Sequence, residues 1–308
     1  MSEKIRINKF LSDAGVCSRR EADRLIEEGR VTVNGKTAVP GEKTDGGDCV
    51  FIDGKPVKKE KRKVLLLFYK PKGIVCSTKQ QREETTVTQY LHYPLRIYPV
   101  GRLDKESEGL LLLTNQGDLV NKIMKAGNFH EKEYIVKTNK PFPDDFIKKM
   151  GKGVPILETV TRPCFVERMG KDCFRIILTQ GLNRQIRRMC EYFGYQVVSL
   201  KRVRIMNLTL SGLEKGEYRE ITEKEWKELD QMLIGSANQT APGGNYGKKD
   251  AANERTCGTA EQSRKSVLSG RQRNHEQPGI RPSLRPAGKS GKRNGNRSGK
   301  QSNGKRRV

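Results

Sequence analysis

The sequence predicts an α+β protein built around a mostly antiparallel sheet, with a small module before it and a basic tail after it. Between residues 64 and 235, strand signals outnumber helical signals and do not alternate regularly with them. Regular alternation would indicate a parallel, doubly wound sheet, so its absence favours the antiparallel one. Composition changes near residues 60 and 236. We therefore predict three parts: 1–60, 64–235 and 236–308.

The first part, residues 1–60, has the pattern of two short helices followed by a hairpin. A first helix is predicted over residues 8–14, and Ser18-Arg-Arg-Glu21 is a capping box that begins a second helix. Asn34-Gly35, between two short β-branched runs, is a strong signal for a two-residue hairpin turn. The order of elements is therefore helix, helix, hairpin.

Basic side chains are crowded on these two predicted helices. Clustered Lys and Arg are typical of proteins that bind nucleic-acid phosphates, although a solvated basic surface is the simpler alternative. The helix–helix–hairpin order, with Val33-Asn-Gly35 at the turn, is similar to the S4 module, an RNA-binding family named from a small-subunit ribosomal protein. This resemblance implies that the module docks RNA. The candidate RNA-binding residues are Arg6, Lys9, Arg19, Arg20 and Arg24.

The central part carries a series of strand and helix signals. The predicted strands are 64–69, 98–103, 110–114, 134–138, 174–179 and 203–210. The predicted helices are 86–91, 118–126, 143–150, 184–193 and 223–233. Leu110 to Leu113 is a continuous apolar run of strand length, which predicts a strand buried on both faces.

A polar loop, Asp104 to Glu108, lies between this strand and an upstream apolar run, Ile97 to Val100. A carboxylate held where core strands reach the surface, with Arg102 two residues before it, is positioned for chemistry. The alternative is a solvated loop Asp beside a solvated Arg, because ionisable residues mark functional sites only statistically.

The sequence around Asp104 continues in a pattern that resembles a known family. Gly101-Arg-Leu-Asp104, the apolar run and Thr114-Asn-x-Gly-Asp118 resemble the RsuA/RluB/RluF group of pseudouridine synthases, over about residues 5–233. The resemblance implies that Asp104 is the nucleophile. It implies that Tyr134, in Lys132-Glu-Tyr-Ile-Val136, is the active-site Tyr. It also implies that Arg187, within Gly181-Leu-Asn-Arg-Gln-Ile-Arg-Arg-Met189, pairs with Asp104.

The branch of this group decides the expected substrate. Segments 121–128, 153–157 and 204–207 look most like the RluF branch, whose enzymes modify 23S ribosomal RNA. That resemblance implies a uridine near the peptidyl-transferase region, around position 2604. Two alternatives stay open: the same chemistry chiefly on tRNA, and a non-catalytic RNA-binding protein that assists ribosome assembly.

The chemistry explains why these residue types are needed. Isomerising uridine breaks the N-glycosidic bond, turns the base and forms a bond at carbon without an outside reagent, so we expect no cofactor. A buried nucleophilic carboxylate stays ionised only with a compensating cation, and Arg187 is always charged and can pair bidentately. Tyr134 offers a flipped uracil a stacking surface. Arg102 is expected to fill the space that the flipped nucleotide leaves.

Helix periodicity assigns the remaining cations of the Arg187 motif. Ile186, Met189, Cys190 and Phe193 form the apolar stripe of the predicted helix, so the arginines fall outside it. A solvated basic helix face is the alternative for such a set. We expect Arg184 and Arg188 to contact RNA phosphates.

Composition excludes several other classes. Lys and Arg number 61 against 36 Asp and Glu, a net charge of +25, which predicts a nucleic-acid partner before a membrane. No apolar stretch approaches the ~20 residues needed to span a bilayer. The N-terminus lacks the apolar region of a secretory signal, which predicts a cytoplasmic protein. The 7 Cys form no Cys-x-x-Cys pair and the 3 His lie far apart, so we expect no metal site. We also expect a monomer.

The third part, residues 236–308, has 17 Lys or Arg against 4 Asp or Glu, a net charge of +13. Apolar residues are too few there to offset the entropy of ordering the chain. The sequence predicts a disordered basic tail that binds RNA without sequence preference, with a merely solubilising tail as the alternative.

Overall fold

The computed structural model of the protein describes residues 4–45, 47–58, 60, 62–77 and 84–236. The predicted basic tail lies outside the described residues, apart from Ser236. Helices among the described residues are α1 (Ile7–Asp13), α2 (Arg19–Glu27), α3 (Val87–Leu91), α4 (Gly117–Met124), α5 (Asp144–Gly151), α6 (Gln185–Tyr192) and α7 (Glu223–Met232). A 3-10 turn covers Ala126–Asn128.

The N-terminal module packs α1 and α2 against short antiparallel strands. These strands are β1 (Ile5–Arg6), β2 (Val31–Val33), β3 (Lys36–Thr37), β4 (Lys43–Thr44), β5 (Val50–Ile52) and β6 (Lys55–Pro56). The order β3-β2-β5-β6 forms one sheet, and β1 pairs with β4. Apolar residues of both helices, including Leu11, Ala22 and Ile26, are buried on this sheet. The predicted helix–helix–hairpin order is present.

The predicted capping box at α2 forms in one direction only. The Ser18 hydroxyl accepts a hydrogen bond from the Glu21 backbone N–H at 3.1 Å. The Glu21 carboxylate accepts hydrogen bonds from Arg24. The helix therefore keeps its N-cap, while the second half of the box is replaced by an ion pair one turn later.

A nine-stranded sheet forms the centre of the second part of the chain, among the described residues after residue 63. Strands here are β7 (Leu65–Lys70), β8 (Tyr98–Val100), β9 (Glu108–Thr114), β10 (Lys132–Thr138), β11 (Pro155–Ile156), β12 (Thr159–Val160), β13 (Phe165–Arg168), β14 (Cys173–Leu178), β15 (Val197–Ile205), β16 (Leu208–Thr209) and β17 (Tyr218–Glu220). The order is β13-β14-β10-β15-β9-β7-β17, with β16 on β15 and β8 on β9, while β11 and β12 pair separately. The prediction of an α+β fold with a mostly antiparallel sheet is confirmed.

One parallel contact joins the two halves of this sheet. Strand β15 pairs with β9 in parallel through Lys201 with Glu108 and Arg202 with Gly109, and the other pairings within the sheet are antiparallel. Gly109 has φ +112°, and a Cβ there would lie 2.2 Å from the Arg202 carbonyl oxygen. Glycine is therefore required for β9 to approach β15, and this approach brings the loop before β9 next to the other half-sheet.

Two predicted strand boundaries are wrong. The strand predicted over residues 203–210 is the end of β15, a turn at Met206 and Asn207, and β16; Met206 has φ +52°, which interrupts an extended strand. The strand predicted over 98–103 stops at Val100, because Gly101 has φ +74° and turns the chain. Both breaks depend on backbone dihedrals that apolar patterning does not reveal.

Candidate active site

Asp104 lies on the loop between β8 and β9, at the edge of the sheet's parallel contact. Gly101 begins this loop, and a Cβ there would lie 2.3 Å from Cε of Met124, so the loop packs tightly on α4. A turn closes the loop, since the Ser107 N–H donates to the Asp104 carbonyl at 3.0 Å. The Asp104 side chain is 35% exposed, so its carboxylate is accessible at the mouth of the site.

Arg187 approaches this carboxylate from α6. Its Nε lies 3.6 Å from Oδ2 of Asp104, too far for a good hydrogen bond, and its side chain is only 10% exposed. Its Nη1 donates to the Val197 carbonyl at 3.0 Å, and its Nη2 donates to the Ser107 hydroxyl at 3.2 Å. The guanidinium is therefore held mainly by other groups, and the bidentate pairing expected from sequence is absent in this state.

Arg184 reaches the same carboxylate oxygen from the start of α6. Its Nη1 lies 3.4 Å from Oδ2 of Asp104, and its side chain is 45% exposed. Arg184 has φ +49°, a left-handed conformation that is uncommon for residues other than glycine. Sequence reasoning assigned Arg184 to phosphates and did not foresee this contact. Arg188 instead donates to the Asn183 carbonyl at 3.1 Å and points along its own helix turn.

A cavity of about 90 Å³ brings four of the predicted residues together, and Arg187 does not line the cavity but lies 3.6 Å from Asp104, which does. Its lining includes Arg102, Asp104, Tyr134 and Arg184. Tyr134 is half-buried between two apolar clusters and forms a wall of the cavity, whereas Arg102 also lines the cavity but is exposed. Sequence reasoning missed Gln180, which also lines the cavity and whose buried Nε2 has no hydrogen-bond partner among the described residues.

Lys70 supports the Asp104 loop from below. Its side chain is fully buried, and its Nζ donates to the carbonyls of Ser107 at 2.8 Å and Pro71 at 2.9 Å. Burial lowers the pKa of Lys70, while nearby acidic groups, including Asp104, oppose that effect. The ammonium group that holds the nucleophile loop was not foreseen, because it depends on packing between distant segments.

The cations predicted for RNA binding in the N-terminal module fall into two groups. Lys9 contacts Asp13 at 3.1 Å and Asp118 of α4 at 2.9 Å, and the second contact joins the N-terminal module to the part of the chain that contains the large sheet. Arg24 pairs with Glu21 and Glu28. In the described part of the chain, Arg6, Arg19 and Arg20 are exposed and no carboxylate pairs with them.

Three further observations concern metal binding, membrane spanning and cysteine chemistry. Among the described residues, no group of His, Cys, Asp and Glu side chains could hold a metal ion. Within the same residues, the helices are too short or too polar to cross a membrane. Cys190 is buried in the apolar cluster under α6, and burial raises the pKa of its thiol to about 12, as befits a packing residue.

Comparison with known proteins identifies the class. A sequence profile described as RNA pseudouridylate synthase matches residues 64–192, and one described as S4 domain matches residues 5–48. The chain belongs to the RNA pseudouridine synthase family, whose members are isomerases, and it carries an S4 domain before the synthase domain. The resemblance predicted from the Asp104 motif is therefore confirmed, as is the expectation of an enzyme.

Individual relatives narrow the comparison. The chain is 49% identical over 260 residues to the dual-specificity RNA pseudouridine synthase RluF of Salmonella typhi, covering 84% of this chain and 90% of that protein. It is 38% identical over 232 residues to the ribosomal large subunit pseudouridine synthase B of Bacillus subtilis, covering 73% and 95%. A crystal structure of a pseudouridylate synthase superposes with a TM-score of 0.55 at 26% identity, covering 73% of this chain and 99% of that one.

Proposed function

We propose that the protein isomerises a specific uridine of 23S rRNA to pseudouridine, with Asp104 as the nucleophile. The observation that carries this proposal is the Asp104 carboxylate at the mouth of a cavity that Tyr134 also lines, with two arginines close to one carboxylate oxygen. The similarity to RluF supports 23S rRNA as the substrate class. Because that relative is named dual-specificity, the same chemistry on tRNA is the second candidate.

In the proposed reaction the bond from N1 of the base to the sugar C1′ breaks, and a bond from C5 to C1′ forms. The base loses the proton at C5 and gains one at N1, so no oxidant or reductant is consumed. Asp104 attacks the sugar or the base, or assists elimination. Arg187 places a permanent positive charge 3.6 Å from Asp104, since a guanidinium does not lose its proton in proteins. Tyr134 stacks on the flipped uracil.

Access to the nucleophile requires a rearrangement at Arg184. The exposed Arg184 side chain lies 3.4 Å from one oxygen of Asp104 and lines the cavity that the uracil would enter. We propose that Arg184 turns outward when RNA arrives and then contacts a phosphate, as the sequence predicts. We propose that Arg188 contacts the neighbouring phosphate of the RNA backbone. Arg102 fills the space in the RNA that the flipped nucleotide leaves.

The S4 domain is proposed to dock the substrate, and the enzyme to act as a monomer. Arg6, Arg19 and Arg20 are the cations best able to bind phosphates, because no carboxylate neutralises them among the described residues. Lys9 and Arg24 bind RNA only if they exchange their present carboxylate partners.

The test is to map pseudouridines in 23S rRNA and tRNA of a bacterial strain that lacks the gene. Complementing that strain with the wild-type protein should restore a single rRNA position, and Asp104→Asn should not. Restoration in tRNA alone would replace rRNA by tRNA as the substrate. Restoration by Asp104→Asn would overturn the assignment of the nucleophile.

A further inference from the structure

We infer that a cleft between α2 and the α3–β8 segment is a second RNA-phosphate site, which Arg96 of the synthase domain completes. The inference rests on the proposed function, in that the ligand is the backbone of the substrate RNA. The cleft has a volume of about 620 Å³. Ser18, Arg19 and Arg20 line one side, and Thr88 and residues 93–97 line the other.

The charge distribution favours an anion in this cleft. Three neighbouring cations of the same domain, Lys9, Arg24 and Arg30, are each paired with two carboxylates. Among the described residues no carboxylate pairs with Arg19 or Arg20, both of which are exposed. Arg19 and Arg20, which line the cleft, thus share with Arg6 the lack of a carboxylate partner among the described residues, and their charge is available to an external polyanion.

Arg96 supplies the contribution of the synthase domain. It lies two residues before β8, and its Nη1 is buried with no hydrogen-bond partner in the described part of the chain. Its positive charge lowers the pKa of the Cys17 thiol against the larger effect of burial, so it lies close to the start of α2. Arg96 lines the cleft together with Arg19 and Arg20, so its guanidinium charge adds to the positive potential that a phosphate in the cleft would meet.

The position of the cleft suits a substrate that also reaches Asp104. Asp104 follows Arg96 closely in the chain, which limits the distance between their Cα atoms to about 28 Å. The Lys9–Asp118 ion pair, at 2.9 Å, connects α1 with α4 and helps to hold the two walls together. One RNA stem-loop can therefore contact the cleft through its backbone while its target base enters the active site.

The expected role of the cleft is to position RNA without reading its sequence. Arginine forks bind phosphate oxygens through two parallel hydrogen bonds, and such bonds fix register but carry no base information. Removing one of these arginines should therefore weaken affinity and reduce its salt dependence. The slope of log K against log salt should fall by about 0.7–0.9 for each phosphate that is no longer neutralised.

The experiment measures binding of Arg96→Gln and Arg20→Gln to a 23S rRNA fragment at several salt concentrations. The background is Asp104→Asn, so that turnover does not interfere. Arg30→Gln is the matched control, because it removes the same charge from a residue whose carboxylate partners neutralise it. We expect each cleft variant to bind about 3- to 10-fold more weakly with a reduced salt slope. Arg30→Gln should stay within about twofold of the parent affinity.

Without the Asp104 change, Arg30→Gln should keep the wild-type single-turnover rate, whereas both cleft variants should need more RNA to reach half of their maximal rate. Melting temperatures identify a folding defect of Arg96→Gln, and the exposed Arg20 provides a test free of that risk. The proposal that the cleft binds RNA would be wrong if Arg20→Gln kept the wild-type affinity and salt slope. It would also be wrong if Arg30→Gln lost as much affinity as the cleft variants. If the wild type forms no pseudouridine in this RNA but both cleft variants weaken binding, the proposed function fails and the cleft stands.

Discussion

At the scale of single residues, the side chains around Asp104, the proposed nucleophile, are held in place by hydrogen bonds that do not involve its carboxylate. Arg187 is held by the Val197 carbonyl and the Ser107 hydroxyl, and Lys70 holds the backbone of the same loop. The loop and the guanidinium should therefore keep their places when Asp104 is changed. This separation allows its chemistry to be tested apart from folding.

Asp104→Asn should abolish isomerisation while RNA binding stays within a few-fold. Asn is nearly the same size but is neither charged nor nucleophilic, and the hydrogen bonds of the loop backbone are unchanged. Single-turnover assays and a binding titration on an rRNA fragment measure the two effects. Glu106→Gln, two residues away and exposed, is the control and should keep its rate. Substantial turnover by Asp104→Asn would contradict the role.

Arg187→Lys should lose most of the chemical rate even though the positive charge is kept. A single ammonium group cannot reach the Val197 carbonyl, the Ser107 hydroxyl and Asp104 together, as the planar guanidinium does. We expect a fall of roughly 100-fold or more, which is about 2.7 kcal/mol in activation free energy. Single-turnover kinetics measure it, with circular dichroism as the check on folding. A wild-type rate for Arg187→Lys would show that the planar guanidinium of Arg187 is not needed for the reaction.

The burial of Lys132 leads us to expect that the free energy of unfolding depends on pH in the alkaline range. Burial, with a smaller effect from Arg202, lowers the pKa of Lys132 to about 8 in the folded protein. The unfolded chain, with a pKa near 10.5, then binds more protons, so this group adds stability as pH rises from about 8 to 10.5. Lys132→Met should be more stable than the wild type at pH 7, by about 1–3 kcal/mol, and this advantage should shrink at pH 10. Urea unfolding at both pH values measures it, and a constant difference would refute it.

At the scale of elements, the parallel contact of β15 with β9 depends on Gly109. Gly109→Ala should destabilise the protein by about 2–4 kcal/mol, because the new Cβ would overlap the Arg202 backbone. Gly127→Ala is the control, since its nearest neighbour in space is the Lys125 side chain at 4.0 Å. Thermal unfolding of both variants measures the difference. Equal stability would mean that the two strands can separate without cost.

The same scale shows what the sequence could predict. Helices with an apolar stripe were located to within two residues, and Leu110–Leu113 correctly predicted the buried strand. Strands β13 and β17 were missed, because their short runs mix charged and apolar residues and are extended only through pairing with β14 and β7. The sequence motif placed Asp104, Tyr134 and Arg187 in one site.

The contacts that complete this site could not be predicted. Lys70 and Ser107 lie far apart in the chain, as do Arg96 and Arg20, and they meet only through the sheet and the domain contact. Periodicity and local motifs describe the surroundings of a residue along the chain. They do not determine which distant backbone carbonyl or cation will lie beside it.

At the scale of the whole molecule, the charge of residues 237–308 should contribute to RNA affinity. These residues hold 17 Lys or Arg and 4 Asp or Glu. Deleting them keeps Ser236, whose hydroxyl lies 2.9 Å from Nε2 of His130. We expect the truncated protein to fold, to bind RNA more weakly with a lower salt slope, and to keep its rate at saturating RNA. Titrations at several salt concentrations measure this, and an identical slope would exclude a contribution from the deleted residues.

The parallel pairing between β9 and β15 has a consequence for how the enzyme can fail. The nucleophile belongs to the half-sheet of β7, β8 and β9, whereas Tyr134 and Arg187 come from the half that contains β10 and β15. Among the described residues, two residue pairs of backbone join β9 with β15 at this seam, together with the hydrogen bond that Arg202 Nε donates to the Leu110 carbonyl at 2.7 Å. A small sliding of one half against the other would separate Asp104 from its partners while both halves stayed folded. The catalytic rate should therefore respond to a shift between the two half-sheets that measurements of secondary structure would not detect.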